Sequence, residues 1–366
     1  MTATATPTTT APTTAWLQRL HAEIAPLHDA ALEAAVRHRL DNLTKPHGAL
    51  GRLEALALQV ALVQRSVHPR LVQPQLVVCA ADHGLAAQGV SAYPREVTAQ
   101  MVHNMLGGGA AVSVLARQHG LALSVVDCGV AAPFEVPAGL IAARCCEHGS
   151  ADCTAGPALD AAQVQQALAA GAALVRGLPG NVLLLGEMGI GNTSAAALIM
   201  SALTGRPLAD CVGRGTGLDD AGLARKLVVL SAAQRRHQGT HGAPLALLGA
   251  YAGGEIVTLT GAVLQACASR RLVIVDGFVT TAAVAVAAAL VPAVLPYCIF
   301  SHTSAEQGHG RWLHDLGAAP LIDLQLRLGE GSGAALAWPL VQSALLLLEQ
   351  MASFDQAGVS RRDAGA

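Results

Sequence analysis

Charged and aromatic side chains are scarce in this chain. Asp, Glu, Lys and Arg make up 13% of its 366 residues, and Phe, Trp and Tyr only 3%. With 23 basic residues against 25 acidic ones there is no surplus of positive charge to neutralise a phosphate backbone, and few rings on which bases could stack. Nucleic-acid binding is therefore not expected. Also missing is any pair of Cys-x-x-Cys motifs. Several of the eight cysteines sit in apolar runs ("LVVCAA", "SVVDCGV", "PYCIF"), where a reduced thiol acts as a small hydrophobe. The segment "RCCEHGSADC" adds His148 to three cysteines, but adjacent cysteines make a poor tetrahedral clamp. The first residues, "MTATATPTTTAPTTAW", have neither a basic start nor an apolar stretch of signal-peptide type. Residues 1–15 read as a disordered tail, and the cytoplasm is the expected location. The most membrane-like run, 282–300, is mostly alanine and is broken by Pro292 and Pro296. It reads as a buried helix followed by a buried strand. No Walker A ending and no G-x-G-x-x-G fingerprint occurs at the glycine-rich turns, which disfavours a dinucleotide-dependent dehydrogenase.

Apolar residues, 52% of the chain, are plentiful and well ordered. Residues 16–66 read as helices, with "LQRLHAEIAPL" and "GRLEALALQVALVQR" showing helical spacing around a turn-like "DNLTKPHGALGR". From residue 75 the pattern changes to short apolar runs of strand length at 75–80, 122–127, 181–186, 271–276, 295–300 and 320–324, mostly separated by helical segments. Continuous apolar strands alternating with helices predict a parallel sheet buried on both faces. The fold class is α/β: a doubly wound, mainly parallel sheet. Residues 333–354 read as one more apolar helix, and the segment 334–356 ends the helical part of the chain. With 16–66 it is predicted to build a small helical domain from both chain ends, beside a large α/β domain at 67–333 and a flexible C-terminus at 357–366.

Polar residues collect where these strands end: Asp82 and His83, Asp127, Glu187, Asp276, then Ser301, His302 and Ser304. They read either as the rim of one site, where such folds bind ligands, or as separate caps of the following helices. The turn "GEMGIGNTSAAA" (186–197) runs from a strand into a helix. Gly189 and Gly191 permit close backbone approach, and Asn192, Thr193 and Ser194 offer hydrogen bonds at the helix start, so a phosphate monoester could rest there. The alternative is an ordinary strand-to-helix turn capped by Asn or Thr. After "GRGTGLDDAGLARK" (213–226), Lys226 supplies a positive charge to the site or is a solvated helix lysine. His302, Glu306 and His309 stand at helical spacings but among helix-weakening glycines, so local structure is favoured over a metal site. Glu330, in "RLGEGSGAAL", lies in a glycine-rich turn ahead of a helix, where a carboxylate would repel a phosphate. It is expected to be partly exposed, with a raised pKa suited to proton exchange near neutrality.

Taken in order, "LTKPHGALGRLE", "AADHGLAAQGVSAYPREVTAQMVHNMLGGGAAV", "GEMGIGNTSAAA", "GRGTGLDD", "VDGFVTTAAVA", "SHTSAEQGH" and "LRLGEGSGAALA" resemble the nicotinate-nucleotide–dimethylbenzimidazole phosphoribosyltransferase family of cobalamin (vitamin B12) nucleotide-loop assembly. The resemblance runs from about Leu43 to Phe354. It implies transfer of the 5-phosphoribosyl group of nicotinate mononucleotide to 5,6-dimethylbenzimidazole. Nicotinate leaves, and α-ribazole 5′-phosphate forms with inversion at C1′. It also implies a Rossmann-like large domain with a small helical domain, in a homodimer that needs no metal or redox cofactor. By position, Glu330 resembles the family's general base. Leu328, Gly329, Ser91, Tyr93 and Met101 would line the benzimidazole pocket. Glu187 would face the ribose, and Gly189, Gly191, Asn192 and Thr193 would hold the phosphate with Lys226; Asp276 and Ser304 also match. The stretch 149–159 departs from the family at Ser150 and Asp152, and no site residue is carried over from it.

Overall fold

A computed structural model of the protein describes residues 11–131 and 135–360. Its frame is one six-stranded sheet. The strands are β1 (Gln75–Ala81), β2 (Ala122–Gly129), β3 (Ile141–Ala142), β4 (Val182–Met188), β5 (Leu272–Val275) and β6 (Cys298–Phe300). They run in the order β3-β2-β1-β4-β5-β6, and every pairing is parallel. This is the predicted doubly wound arrangement. All seven residues of β1 and all four of β5 are buried, as continuous apolar runs covered on both faces by helices require.

Three details differ from the sequence reading. The run at 295–300 is strand only from Cys298, because Pro292–Tyr297 forms a 3₁₀ turn. Its two prolines have no N–H to donate to a ladder. The run at 320–324 is not a strand; it contributes a single bridge between His302 and Ile322. β3, two residues long, was too short to carry a periodic signal.

Between β1 and β4 the chain changes the direction in which it adds strands. A crevice opens at that point, beyond the carboxyl ends. The register sets the polar ends level across it: Cys79 of β1 pairs with Glu187 of β4, and Ala80 with Asp127 of β2. Strand length and hydrogen-bond register, rather than any one motif, therefore gather the polar residues at a common edge.

Among the described residues three helices precede the sheet: Ala11–Glu23, Ala30–Asp41 and Arg52–Gln64. The first starts within the stretch expected to be a tail, and residues 1–10 lie outside the described residues, as do 361–366 of the expected flexible C-terminus. The long C-terminal helix, Ser332–Gln350, packs on Arg52–Gln64, on Ala111–His119 and over β4 and β5. Both chain ends meet there. Thr44 N–H donates to Ala352 O, Phe354 N–H to Asn42 O, and Arg39 pairs with Glu349 at 2.9 Å. By length and composition Ser332–Gln350 is one helix apolar enough to cross a bilayer, but 56% of its most apolar stretch is buried inside the protein and it contains Pro339. The run at 282–300 lies within the buried helix Phe278–Leu290, the 3₁₀ turn and β6.

Candidate functional site

Two glycine-rich turns meet at the crevice. One leaves β4 through Gly189 and Gly191 into the helix Asn192–Thr204; the other carries Glu330 into Ser332–Gln350. A Cβ on Gly186 would stand 2.6 Å from the Glu330 carbonyl oxygen, and one on Gly329 would run into the Glu187 carboxylate. Glycine at these two positions is what lets the turns touch. Beside them opens a small cleft of about 90 Å³. Glu187, Gly189, Asn192 and Thr193 line one side, and Arg327, Leu328 and Gly329 another. The loop after β6 adds Ser304 and Glu306, and the loop at 213–219 adds Gly215 and Thr216.

Glu187 and Glu330 are both buried, at 7% and 4% exposure. The expectation of a partly exposed Glu330 is therefore corrected: the long helix behind it and the β4 end in front close over the turn. Burial, with the neighbouring Asp276 charge adding to it, pushes the Glu330 carboxyl up to about 7. Burial also pushes Glu187 up to about 8, helped by Asp276 and Glu255 and opposed by the Asn192 amide, which donates to its Oε2. Oε2 of Glu330 is buried without a hydrogen-bond partner among the described residues. Glu187 lines the cleft, while Glu330 stands directly behind its lining residue Gly329; carboxyls that exchange protons near neutrality at such a place are suited to acid–base work on a bound molecule.

The turn after β4 uses part of its N–H groups internally: Ile190 N–H donates to Thr98 Oγ1, and Asn192 and Ser194 N–H donate to the Gly189 and Gly191 carbonyls. Its helix begins at Gly191, with φ +97°, and no side chain caps it. The Asn or Thr cap weighed from sequence is not made: Asn192 turns to Glu187, and Thr193 Oγ1 accepts from Lys226. Uncapped N–H groups at a helix start favour an anion. Lys226 is not a solvated lysine. It is fully buried, and its Nζ donates to Thr193 Oγ1 at 3.0 Å and to Gly213 O at 3.2 Å. Burial draws it down to about 8, with Glu306 acting in the opposite direction.

The remaining sequence candidates separate. Ser304 lines the cleft. Ser91 reaches the rim, its Oγ lying 3.3 Å from Thr216 Oγ1. Tyr93 follows it in the chain but is 54% exposed, and neither Tyr93 nor Met101 lines the cleft. Asp276 is wholly buried behind the Glu330 turn and does not line the cleft either. Two other strand-end carboxylates do structural work. Asp82 accepts from Ala131 N–H, and Asp127 accepts from Gly129 and Val130 N–H and pairs with Arg144 at 2.8 Å. In the divergent loop, Asp152 accepts from Thr154 and from the Gln88 amide.

The weighed metal readings find no geometry. His309 is held between Ser304 N–H and Thr281 Oγ1, and burial draws it down to about 3. Glu306 answers to Lys226 and Arg327 instead. All eight cysteines are free and buried, and no three His, Cys, Asp or Glu among the described residues could hold a metal ion.

Sequence reasoning passed over Arg327, Thr216 and Glu306 as cleft residues. Arg327 had a usable signal, as the one cation within three residues of Glu330; its Nη1 lies 3.4 Å from Gly215 O, tying the Glu330 turn to the loop at 213–219. It also passed over Glu255, fully buried and 2.7 Å from His83, whose ring packs under Gly189 and Gly191.

Comparison with known proteins places this geometry among relatives. A family model described as "Phosphoribosyltransferase" matches residues 25–359. The nicotinate-nucleotide–dimethylbenzimidazole phosphoribosyltransferase of Variovorax paradoxus is 58% identical over 340 residues, covering 93% of this chain and 97% of its own. The enzyme of the same name from Cupriavidus necator is 54% identical, covering 92% and 98%. The crystal structure of CobT from Thermus thermophilus superposes with a TM-score of 0.85 at 41% identity, over 91% of this chain and all of that one.

Proposed function

Since the chain belongs to the nicotinate-nucleotide–dimethylbenzimidazole phosphoribosyltransferase family, we propose a division of labour between the two turns of its cleft. The enzyme transfers the 5-phosphoribosyl group of nicotinate mononucleotide to 5,6-dimethylbenzimidazole, in synthesis of the cobalamin lower ligand. In our reading the 5′-phosphate rests on Gly189, Gly191, Asn192 and Thr193, with the buried Lys226 charge behind Thr193. Glu187 faces the ribose, and Ser304 and Arg327 close the nucleotide side. The flat benzimidazole lies against Leu328 and Gly329, with Ser91, Tyr93 and Met101 completing the pocket when substrate is bound.

The chemistry needs help at one end only. The nicotinate ring leaves from a pyridinium and departs without an acid. The benzimidazole must shed its N–H proton as its other nitrogen attacks C1′. Glu330 takes that proton. A carboxyl poised at about 7 is ionised in a large fraction of molecules at neutral pH, yet basic enough to hold what it receives. The observation that carries this reading is the buried, unpartnered Oε2 of Glu330. A non-catalytic nucleotide-binding module would keep the anion turn but have no use for that atom.

We further propose a cytoplasmic homodimer without membrane or nucleic-acid partners and without a metal or redox cofactor. Residues 16–66 and 334–356 would act as a helical support for the α/β body at 67–333. The test is direct. Purified protein incubated with nicotinate mononucleotide and dimethylbenzimidazole should release nicotinate and form α-ribazole 5′-phosphate in equal amounts. Release of nicotinate without a ribosylated base, or no release at all, would overturn the reading.

A further inference from the structure

Glu330 occupies backbone that a glutamate rarely adopts unaided. Its φ is +64°, between Gly329 at +77° and Gly331 at +86°. A Cβ disfavours left-handed backbone, so such a residue persists only where its surroundings over-determine it. Asp276 does so from the end of β5. Its Oδ2 accepts from Gly331 N–H at 3.0 Å, and its Oδ1 from Ala334 N–H at 3.0 Å. These N–H groups flank the start of Ser332–Gln350, a helix with no cap from its own N-terminal residue. A Cβ on Gly333 would stand 2.9 Å from Asp276 Oδ1 and collide with the His302 ring, so glycine there admits both groups to the helix end.

We propose that Asp276 is a positioning residue of the transfer reaction: it touches neither substrate and clamps the left-handed turn that presents Glu330. The proposal rests on Glu330 being the base. It revises the sequence assignment of Asp276 to substrate binding, because a wholly buried carboxylate bonded to the helix start does not face the cleft. Other titratable and basic groups surround the pair. Glu187 approaches from β4, with Glu255 behind it, and His302 Nε2 lies 3.7 Å from Asp276 Oδ1 after β6. Arg327, Glu306 and Lys226 stand on the cleft side. Among them, Asp276 is the charge that acts most directly on Glu330, and it favours the protonated form.

The test uses Asp276→Asn and Asp276→Ser in the full-length enzyme. Asparagine is nearly isosteric, but it lacks the charge and turns an amide donor toward one of the two N–H groups. Turnover and KM for both substrates are measured from about pH 5.5 to 9, with Glu330→Gln and wild type alongside. In a folded variant, kcat should fall at least about tenfold while KM for the nucleotide stays within about threefold. The acid limb of the kcat profile should move to lower pH, since loss of a neighbouring negative charge lets Glu330 release its proton sooner. A wild-type kcat and an unmoved limb would overturn the proposal. So would a rise in KM alone, which would mean substrate contact, or failure of both variants to fold, which would make Asp276 only a structural cap. If Glu330→Gln retains activity, or wild type releases no nicotinate, the base assignment falls and takes this proposal with it. An inactive Glu330→Gln beside unperturbed Asp276 variants sinks this proposal alone.

Discussion

Replacing Glu330 by glutamine should leave the protein almost inactive and, above neutral pH, more stable. Burial and Asp276 lift this carboxyl from 4.5 to about 7. That is the reverse of a salt-bridged carboxylate, because the native state holds the proton more tightly than the unfolded chain does. Well below pH 4.5 both states are protonated and nothing is lost. Between about 4.5 and 7 the unfolded chain ionises first, so stability falls as pH rises; above about 7 the penalty is complete. A gap of roughly 2.5 pH units at about 1.4 kcal/mol per unit amounts to about 3 kcal/mol. Glutamine keeps the shape and never ionises. The variant should therefore lie within about 1 kcal/mol of wild type at about pH 5 and exceed it by about 3 kcal/mol at about pH 8. Loss of a general base lowers kcat by about 10²–10⁴, with substrate binding little changed. Urea unfolding at the two pH values reads the first effect, and nicotinate release the second. Turnover within about threefold of wild type would refute the catalytic role, since it falls far short of a general-base loss; Glu187 would then be the next candidate. A stability gap that fails to widen with pH would refute the buried, proton-holding carboxyl.

Lys226→Met keeps the buried stem and removes the charge. It should weaken nicotinate mononucleotide by about 1.5–3 kcal/mol and leave the dephosphorylated nucleoside unaffected; equal losses would return Lys226 to a structural role. Because burial draws Lys226 down to about 8, its charge is present below that pH and lost above it. Wild-type KM for the nucleotide should accordingly rise above about pH 8, and the Met variant should lack that rise. Gly329→Ala places a Cβ against the Glu187 carboxylate at a φ of +77°. It should cut kcat/KM at least about tenfold, and wild-type kinetics would show that the two turns need not touch. Activity should survive EDTA and dialysis; a loss restored by zinc would revive the His302, Glu306 and His309 site.

The parallel sheet was legible in the sequence because its signal is local. "QLVVCA" and "RLVIVD" are apolar without alternation, and only strands covered on both faces have that composition. The two glycine-rich turns were legible for the same reason: a strand, a turn and a helix start lie within a dozen residues. The resemblance then supplied the reaction, through motifs whose order spans most of the chain. What the sequence by itself could not determine was which polar side chains would be buried, since that depends on residues far away in the chain. Lys226 looked like a surface lysine on an amphipathic helix until Thr193 and Gly213 closed over its Nζ. Glu330 looked exposed until Gly186, more than a hundred residues earlier, let β4 press on its backbone. Asp276 and Asp127 end similar strands, "VIVD" and "SVVD". Only the tertiary structure sets the first against the Glu330 turn and pairs the second with Arg144, because strand order and register decide what stands opposite each strand end.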